Sequence, residues 1–113
     1  MVVVAITLSN NFDWENYEKT IYDKVINSEV PVKILWDMRE MTDMPSFDII
    51  LKHVALMNKE KTRLHNIVIK NIVIVSSSEN KGMLLWLFET IQKPENPTVI
   101  YTAEEWNSHS TGK

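Results

Sequence analysis

The stretch ILWDMREMTDMPSFDIIL, residues 34–51, decides the fold because its apolar period changes part of the way along. Ile34 and Trp36 alternate with their neighbours, which is typical of a strand. Ser46 then precedes apolar residues at three- and four-residue steps, so it is expected to cap a long helix lasting to about His65. The stretch therefore predicts a strand, a loop and a helix in succession.

The same unit recurs on both sides of this stretch. Strands are predicted at four apolar runs, residues 2–8, 32–37, 72–75 and 98–101. Three amphipathic helices lie between them, and Thr102 with Glu105 forms a capping-box pattern that opens a short last helix. This alternation predicts a single α/β domain over residues 1–107, with a four- to five-stranded, mostly parallel sheet and flanking helices. Residues 108–113 are expected to form a flexible tail.

Composition narrows the classes of function. The chain has 113 residues, a formal net charge of -3 and no cysteine. Such a charge gives no general attraction to nucleic acid, and the absence of cysteine excludes disulfides and thiolate metal sites. The apolar run at residues 2–8 is too short to span a membrane and lacks a basic leader, so a cytoplasmic location is expected.

Motifs for catalysis or cofactor binding are missing from the sequence. Gly82 and Gly112 are the only glycines, so neither a dinucleotide fingerprint nor a phosphate-binding loop can be built. His53, His65 and His109 lack the spacing of a zinc site, and His53 is expected on a helix surface. We therefore expect no metal, no cofactor and no enzymatic activity.

Two polar positions at strand ends allow more than one interpretation. Asp37 fits a lone base or metal ligand, but it equally fits an ion pair or loop hydrogen bond with Arg39. The run Ser76-Ser77-Ser78 fits an anion site at the start of the third helix, or the ordinary capping of that helix.

Three methionines, Met38, Met41 and Met44, recur in the loop before Ser46. Methionine gives an adaptable apolar surface of the kind used to bind partners, and it also fills gaps beneath a neighbouring helix. Both interpretations stay open.

The segment 34–51 resembles the pattern of STAS (anti-sigma-factor antagonist, SpoIIAA-like) domains, in which a strand ending in Asp leads to a Ser-capped helix. Within that superfamily the chain looks most similar to small STAS/Sec14-like proteins, because of its polar turn and aromatic helix at residues 9–22 and its Glu-Glu-Trp ending at residues 101–106. The resemblance implies a SpoIIAA-like fold and a regulatory role. In phosphoregulated members a Ser at the helix start accepts phosphate, and by position that residue is Ser46. Pro45, Phe47 and Asp48 stand where the family has Asp, Ser and Gly.

The first functional hypothesis is a non-enzymatic regulatory or protein-interaction module. Its partner would bind the loop and the exposed face of the helix after it, through Met38, Met41, Met44, Ser46 and Phe47. The alternative is a carrier or sensor of an apolar small molecule or lipid, with a cavity lined by Trp36, Phe47, Trp86 and Phe88. These aromatics also fit an ordinary core. An uncovered first strand would allow a homodimer.

Overall fold

The computed structural model describes residues 2–43, 45–90 and 96–111. The strands within these ranges are β1 (Val2–Ser9), β2 (Val32–Glu40), β3 (Val68–Val75) and β4 (Thr98–Thr102). The helices are α1 (Trp14–Ile21), continued by a π-helical turn (Tyr22–Ile26), then α2 (Phe47–Lys59), α3 (Lys61–Ile67), α4 (Ser78–Thr90) and α5 (Ala103–Thr111). The predicted alternation of strands and helices is confirmed.

The four strands form one sheet in chain order, β1-β2-β3-β4, and every neighbouring pair is parallel. A central row of the sheet runs from Ile6 to Trp36, Val73 and Ile100. The protein is therefore a single α/β domain with a parallel sheet, as the alternation of strands and helices in the sequence predicted.

The core lies on the sheet face that carries this central row. Strand residues such as Ile34 pack there with Tyr17 and Ile21 of α1 and with Leu56 of α2. Val73 and Ile100 pack on the same face against α4. A parallel sheet in chain order places its crossover helices on one side when all crossovers share a hand, which explains why α1, α2, α3 and α4 gather on this inner face.

The opposite face of the sheet is only partly covered. Helix α5 folds back over it, bringing the Trp106 ring to 5.5 Å from that of Tyr101, between centroids. On β1 the same face is open, since Val3 is 59% exposed. The sheet is thus covered on both faces at β3 and β4, whereas at β1 helices cover the inner face alone.

Side-chain caps define several helix ends. Asp13 accepts a hydrogen bond from the Glu15 backbone N–H, with 3.2 Å between Oδ1 and N. Thr102 and Glu105 bond reciprocally: the Glu105 carboxylate accepts from the Thr102 N–H at 2.8 Å, and the Thr102 hydroxyl accepts from the Glu105 N–H at 3.1 Å. The predicted capping box is confirmed.

Three boundaries differ from the prediction. Strand β2 continues to Glu40, so the expected loop starts later. The single helix predicted to last to about His65 is broken at Glu60 into α2 and α3. Helix α5 runs to Thr111, past the boundary predicted at residue 107, so part of the expected tail is helical.

Candidate functional site

An apolar cavity of about 230 Å³ lies between the inner face of the sheet and α2. Trp36 and Val73 line it from the sheet, Tyr17 from α1, Val54 from α2 and Phe88 from α4. It is partly open rather than sealed. For scale, an engineered cavity of about 150 Å³ holds benzene. The space suits a small molecule somewhat larger than one aromatic ring.

One pair of polar side chains crosses the cavity wall between α1 and α2. The Tyr17 hydroxyl oxygen lies 3.0 Å from Nδ1 of His53. Burial lowers the pKa of His53 to about 4 and raises the pKa of Tyr17 well above its ordinary value. Both groups are therefore neutral at neutral pH, which fits an apolar enclosure.

Aromatic rings enclose this pair. The centroids of the Tyr17 and His53 rings are 5.9 Å apart. The Trp36 and His53 rings pack edge to face, with 6.3 Å between their centroids. Phe12 packs on Tyr17 at 5.2 Å. The packing fixes the imidazole in place, so its polar atoms are held rather than free to turn away.

A second polar group on the cavity wall is satisfied within the protein. The indole N–H of Trp36 donates to Oδ1 of Asn71, at 3.0 Å, and the Asn71 amide donates to the Thr98 hydroxyl at 3.4 Å. Asn71 thus orients Trp36 while its own oxygen and nitrogen are both engaged. Among the described residues no buried side-chain nitrogen or oxygen lacks a partner.

Two of the three methionines proposed for partner binding face inward. Met41 is only 3% exposed, and Met38 and Met41 both line the cavity. Met44 lies outside the described residues. Met38 and Met41 thus fill space beneath the neighbouring helix. A partner could not contact Met41 unless the loop moved.

The loop is held from both sides by asparagines. Asn10 accepts a hydrogen bond from the Thr42 N–H at 3.2 Å, and the Asn80 amide donates to the backbone oxygens of Met41 and Thr42 at 3.4 and 3.3 Å. Ser76 donates to the Met41 oxygen at 3.2 Å. These bonds keep Met41 seated against the cavity.

The other residues proposed for partner binding lie at the start of α2. Ser46 is exposed, and its hydroxyl accepts a hydrogen bond from the Ile49 N–H at 3.4 Å, so the predicted N-cap is confirmed. Phe47 is 61% exposed and does not line the cavity, and the same holds for Trp86, which is 55% exposed. Of the four aromatics proposed to line a cavity, Trp36 and Phe88 do so and these two do not.

The alternatives at the strand ends resolve to local bonding. Asp37 forms a two-pronged ion pair with Arg39, with 2.9 Å from Nε to Oδ1 and 2.7 Å from Nη2 to Oδ2, and this bonding lowers the pKa of Asp37. The Ser77 hydroxyl accepts from the Asn80 N–H at 3.2 Å, at the start of α4. Asp37 thus forms the ion pair, and Ser77 the helix cap, that were among the interpretations of the sequence.

The pairing of Tyr17 with His53 was not predicted from the sequence. His53 was expected on a helix surface, and that expectation was wrong because the ring is enclosed between α1, β2 and α2. A signal was present: Ile50, His53 and Met57 follow three- and four-residue steps, so His53 shares the apolar stripe of its helix. Only the fold, however, brings Tyr17 to the same place.

Comparison with protein-family models, with curated proteins and with solved structures finds no match to this chain. Within the described ranges no helix is long and apolar enough to cross a bilayer. The same ranges contain no cluster of three or more His, Asp or Glu side chains able to hold a metal ion.

Proposed function

We propose that this protein is a carrier or sensor that binds a small, mainly apolar molecule in the cavity between the sheet and α2. The observation that carries the proposal is the cavity itself, about 230 Å³ of partly open space walled by apolar side chains. Protein interiors are close-packed, and voids larger than a water molecule are few. Space of this size exceeds the cavity of about 150 Å³ that is known to hold benzene, so it suits a small ligand.

The chemistry of the polar pair supports binding rather than catalysis. A general base works best when its pKa lies near the working pH, whereas the pKa of His53 is about 4. The raised pKa of Tyr17 keeps its hydroxyl protonated. Neither side chain is a strong proton acceptor or nucleophile at neutral pH, so we propose that the protein is not an enzyme.

Ethylbenzene is a suitable first probe, followed by NMR of the ¹⁵N-labelled protein. We expect saturable shifts of residues around the cavity, including the indole N–H of Trp36, which donates to Asn71 within it. Val54→Phe places a ring in the same space and should abolish the shifts. Ala55→Phe, one residue along the same helix on its exposed side, is the matched control and should keep them. Shifts that never saturate, or that persist in Val54→Phe, would refute the proposal.

A regulatory or protein-interaction module is the second candidate, favoured by the outer side of α2. Phe47 and Leu51 are 61% and 46% exposed and lie four residues apart on that helix. A helix that shows apolar side chains outward offers a docking face. This face is the helix part of the predicted surface, whereas Met38 and Met41 of the predicted loop part line the cavity.

Affinity capture from the native cell tests this candidate. A partner retained by the wild type and by Lys52→Asp, but lost with Phe47→Asp, would support the interface. Both substitutions are at exposed positions of α2, so the pair controls for charge alone. Equal capture by all three proteins would exclude a partner at this face.

The kinship with SpoIIAA-like (STAS) domains also remains a proposal, supported by the Ser-capped helix that follows strand β2. Phosphorylation of Ser46 would be its functional counterpart, and the exposure of Ser46 leaves it accessible to a kinase. We expect Ser46→Asp to leave any binding unchanged, since Asp48 already places negative charge at this helix start. A cellular phosphopeptide containing Ser46 would contradict that expectation.

A homodimer and a cytoplasmic location complete the proposal. Strand β1 is an edge of the sheet, with one side open to pairing by a second copy. Sedimentation across a range of protein concentrations tests the dimer, and a single monomer mass at all of them would refute it.

A further inference from the structure

One nitrogen of the His53 imidazole is not hydrogen-bonded by any of the described residues. Nδ1 bonds Tyr17, while Nε2 has no partner among the described residues. His53 as a whole is partly rather than fully buried. His53 lines the cavity together with Ile50, Val54 and Met57 of the same helix. The imidazole therefore brings a nitrogen with no described partner to the wall of a mainly apolar space.

The buried hydroxyl of Tyr17 determines which nitrogen of the His53 ring carries the proton. Tyr17 is 6% exposed, and within the described part of the chain its hydroxyl is bonded to His53 alone. If His53 donated from Nδ1, the hydroxyl proton would be left buried without an acceptor, which costs about 1–3 kcal/mol. The hydroxyl therefore donates to Nδ1. The neutral imidazole then carries its proton on Nε2, where it is a donor.

We propose that the ligand carries a neutral oxygen, a carbonyl or hydroxyl, that accepts a hydrogen bond from Nε2 of His53. This inference rests on the proposed carrier or sensor function and narrows the class of ligand. A pure hydrocarbon would displace water from Nε2 and leave the donor unsatisfied. Sites that hold a hydrogen-bonding group discriminate strongly against analogues lacking the partner atom.

Charged ligands are disfavoured by the rest of the wall. Among the described lining residues Lys61 is the only Lys, Arg, Asp or Glu, and it is an exposed residue at the edge of the set. Burial of a carboxylate beside a neutral imidazole and aromatic rings would lose hydration without a compensating cation. The size of the cavity adds a limit of roughly one substituted ring, since about 150 Å³ suffices for benzene.

A pair of probes of nearly equal shape tests the inference. Acetophenone and α-methylstyrene differ in one position, a carbonyl oxygen against a methylene group, and benzoate supplies the charged comparison. Calorimetry on the intact chain should give acetophenone at least about tenfold tighter binding than α-methylstyrene, with benzoate weakest. In His53→Phe the preference for acetophenone should disappear, while α-methylstyrene still binds.

Imidazole NMR reports the same bond without any substitution. The ¹⁵N shifts of His53 should show the proton on Nε2 in the free protein, and the Nε2–H signal should move on addition of acetophenone. Equal affinity for the two neutral probes, or a proton on Nδ1, overturns the inference while leaving the carrier proposal standing. Failure of both neutral probes to bind overturns both. If His53→Phe does not fold, the wild-type affinity ratio and the imidazole shifts still decide.

Discussion

The hydroxyl of Tyr17 on α1 lies 3.0 Å from Nδ1 of His53 on α2, a contact between residues 36 positions apart in the chain. It joins the helix that packs closely on the sheet to the helix that forms the far wall of the cavity. A hydrogen bond here fixes the distance between two walls of the site. Stability and ligand binding should therefore both depend on it.

Removal of the Tyr17 hydroxyl isolates this bond. Tyr17→Phe leaves Nδ1 of His53 without its donor, and we expect a loss of about 1–3 kcal/mol in the free energy of unfolding, measured with urea. Tyr101→Phe is the matched control, since its ring packs on Trp106 but its hydroxyl makes no hydrogen bond among the described residues. A change of less than about 0.5 kcal/mol in both variants would show that the bond contributes nothing.

Acid should destabilise the protein through His53. Its pKa in the folded state is about 4, against 6.5 for the unperturbed group, so between these values the unfolded chain binds more protons. Stability is thus fully present above about pH 6.5 and is lost as the pH falls toward 4. The expected loss from this group is about 2 kcal/mol by pH 5.

Other groups titrate in the same range, so the measurement is a difference between proteins. Urea unfolding of wild type and His53→Phe at pH 7.5 and 5 should show the wild type losing about 2 kcal/mol more. His65→Gln, at an exposed histidine, serves as the control and should follow the wild type. Parallel curves for wild type and His53→Phe would mean that the imidazole is not held neutral by burial.

Much of the architecture follows from local signals in the sequence. The β-branched runs, Ser46 as a cap and the Thr102–Glu105 box all rest on residues close together in the chain, and each is confirmed. The break at Glu60 is different, because the apolar period continues through it. There the carboxylate accepts a hydrogen bond from the Tyr22 hydroxyl at 2.8 Å, a contact that no local pattern reveals.

The candidate site was less predictable for the same reason. Trp36 and Phe88 were proposed as lining residues from their aromatic character, which does not distinguish them from Phe47 and Trp86. Which side of α2 and α4 turns inward depends on how the helices cross the sheet. His53 was misassigned because a histidine on an apolar stripe needs a partner, and that partner lies on another helix.

Asn80 should hold the loop at residues 41–43 in place. Its amide donates to the Met41 and Thr42 oxygens and to Ser76, and Asn80 is 8% exposed. Asn80→Ala leaves those acceptors short of a donor, for an expected cost of about 1–3 kcal/mol on thermal unfolding. Asn16→Ala, at an exposed position of α1, is the control and should cost little. Amide exchange at residues 41–43 should also speed up in Asn80→Ala alone, and unchanged exchange would contradict the proposed anchoring.

Loss of the Ser46 cap should destabilise α2 modestly. Ser46→Ala frees the Ile49 N–H from its side-chain acceptor, and the expected cost is about 1 kcal/mol in urea unfolding. Ser108→Ala, within α5, removes an exposed hydroxyl away from any cap and should leave stability unchanged. An unaffected Ser46→Ala protein would indicate that backbone solvation replaces the cap.

The most direct test of the ligand cavity is a crystal structure of the protein under xenon pressure. Xenon enters apolar cavities without needing a polar partner, so it reports the space independently of the ligand's chemistry. We predict a xenon atom between Trp36 of the sheet and Val54 of α2, within the cavity of about 230 Å³. A xenon-free interior, with α2 packed directly onto the sheet, would contradict the account.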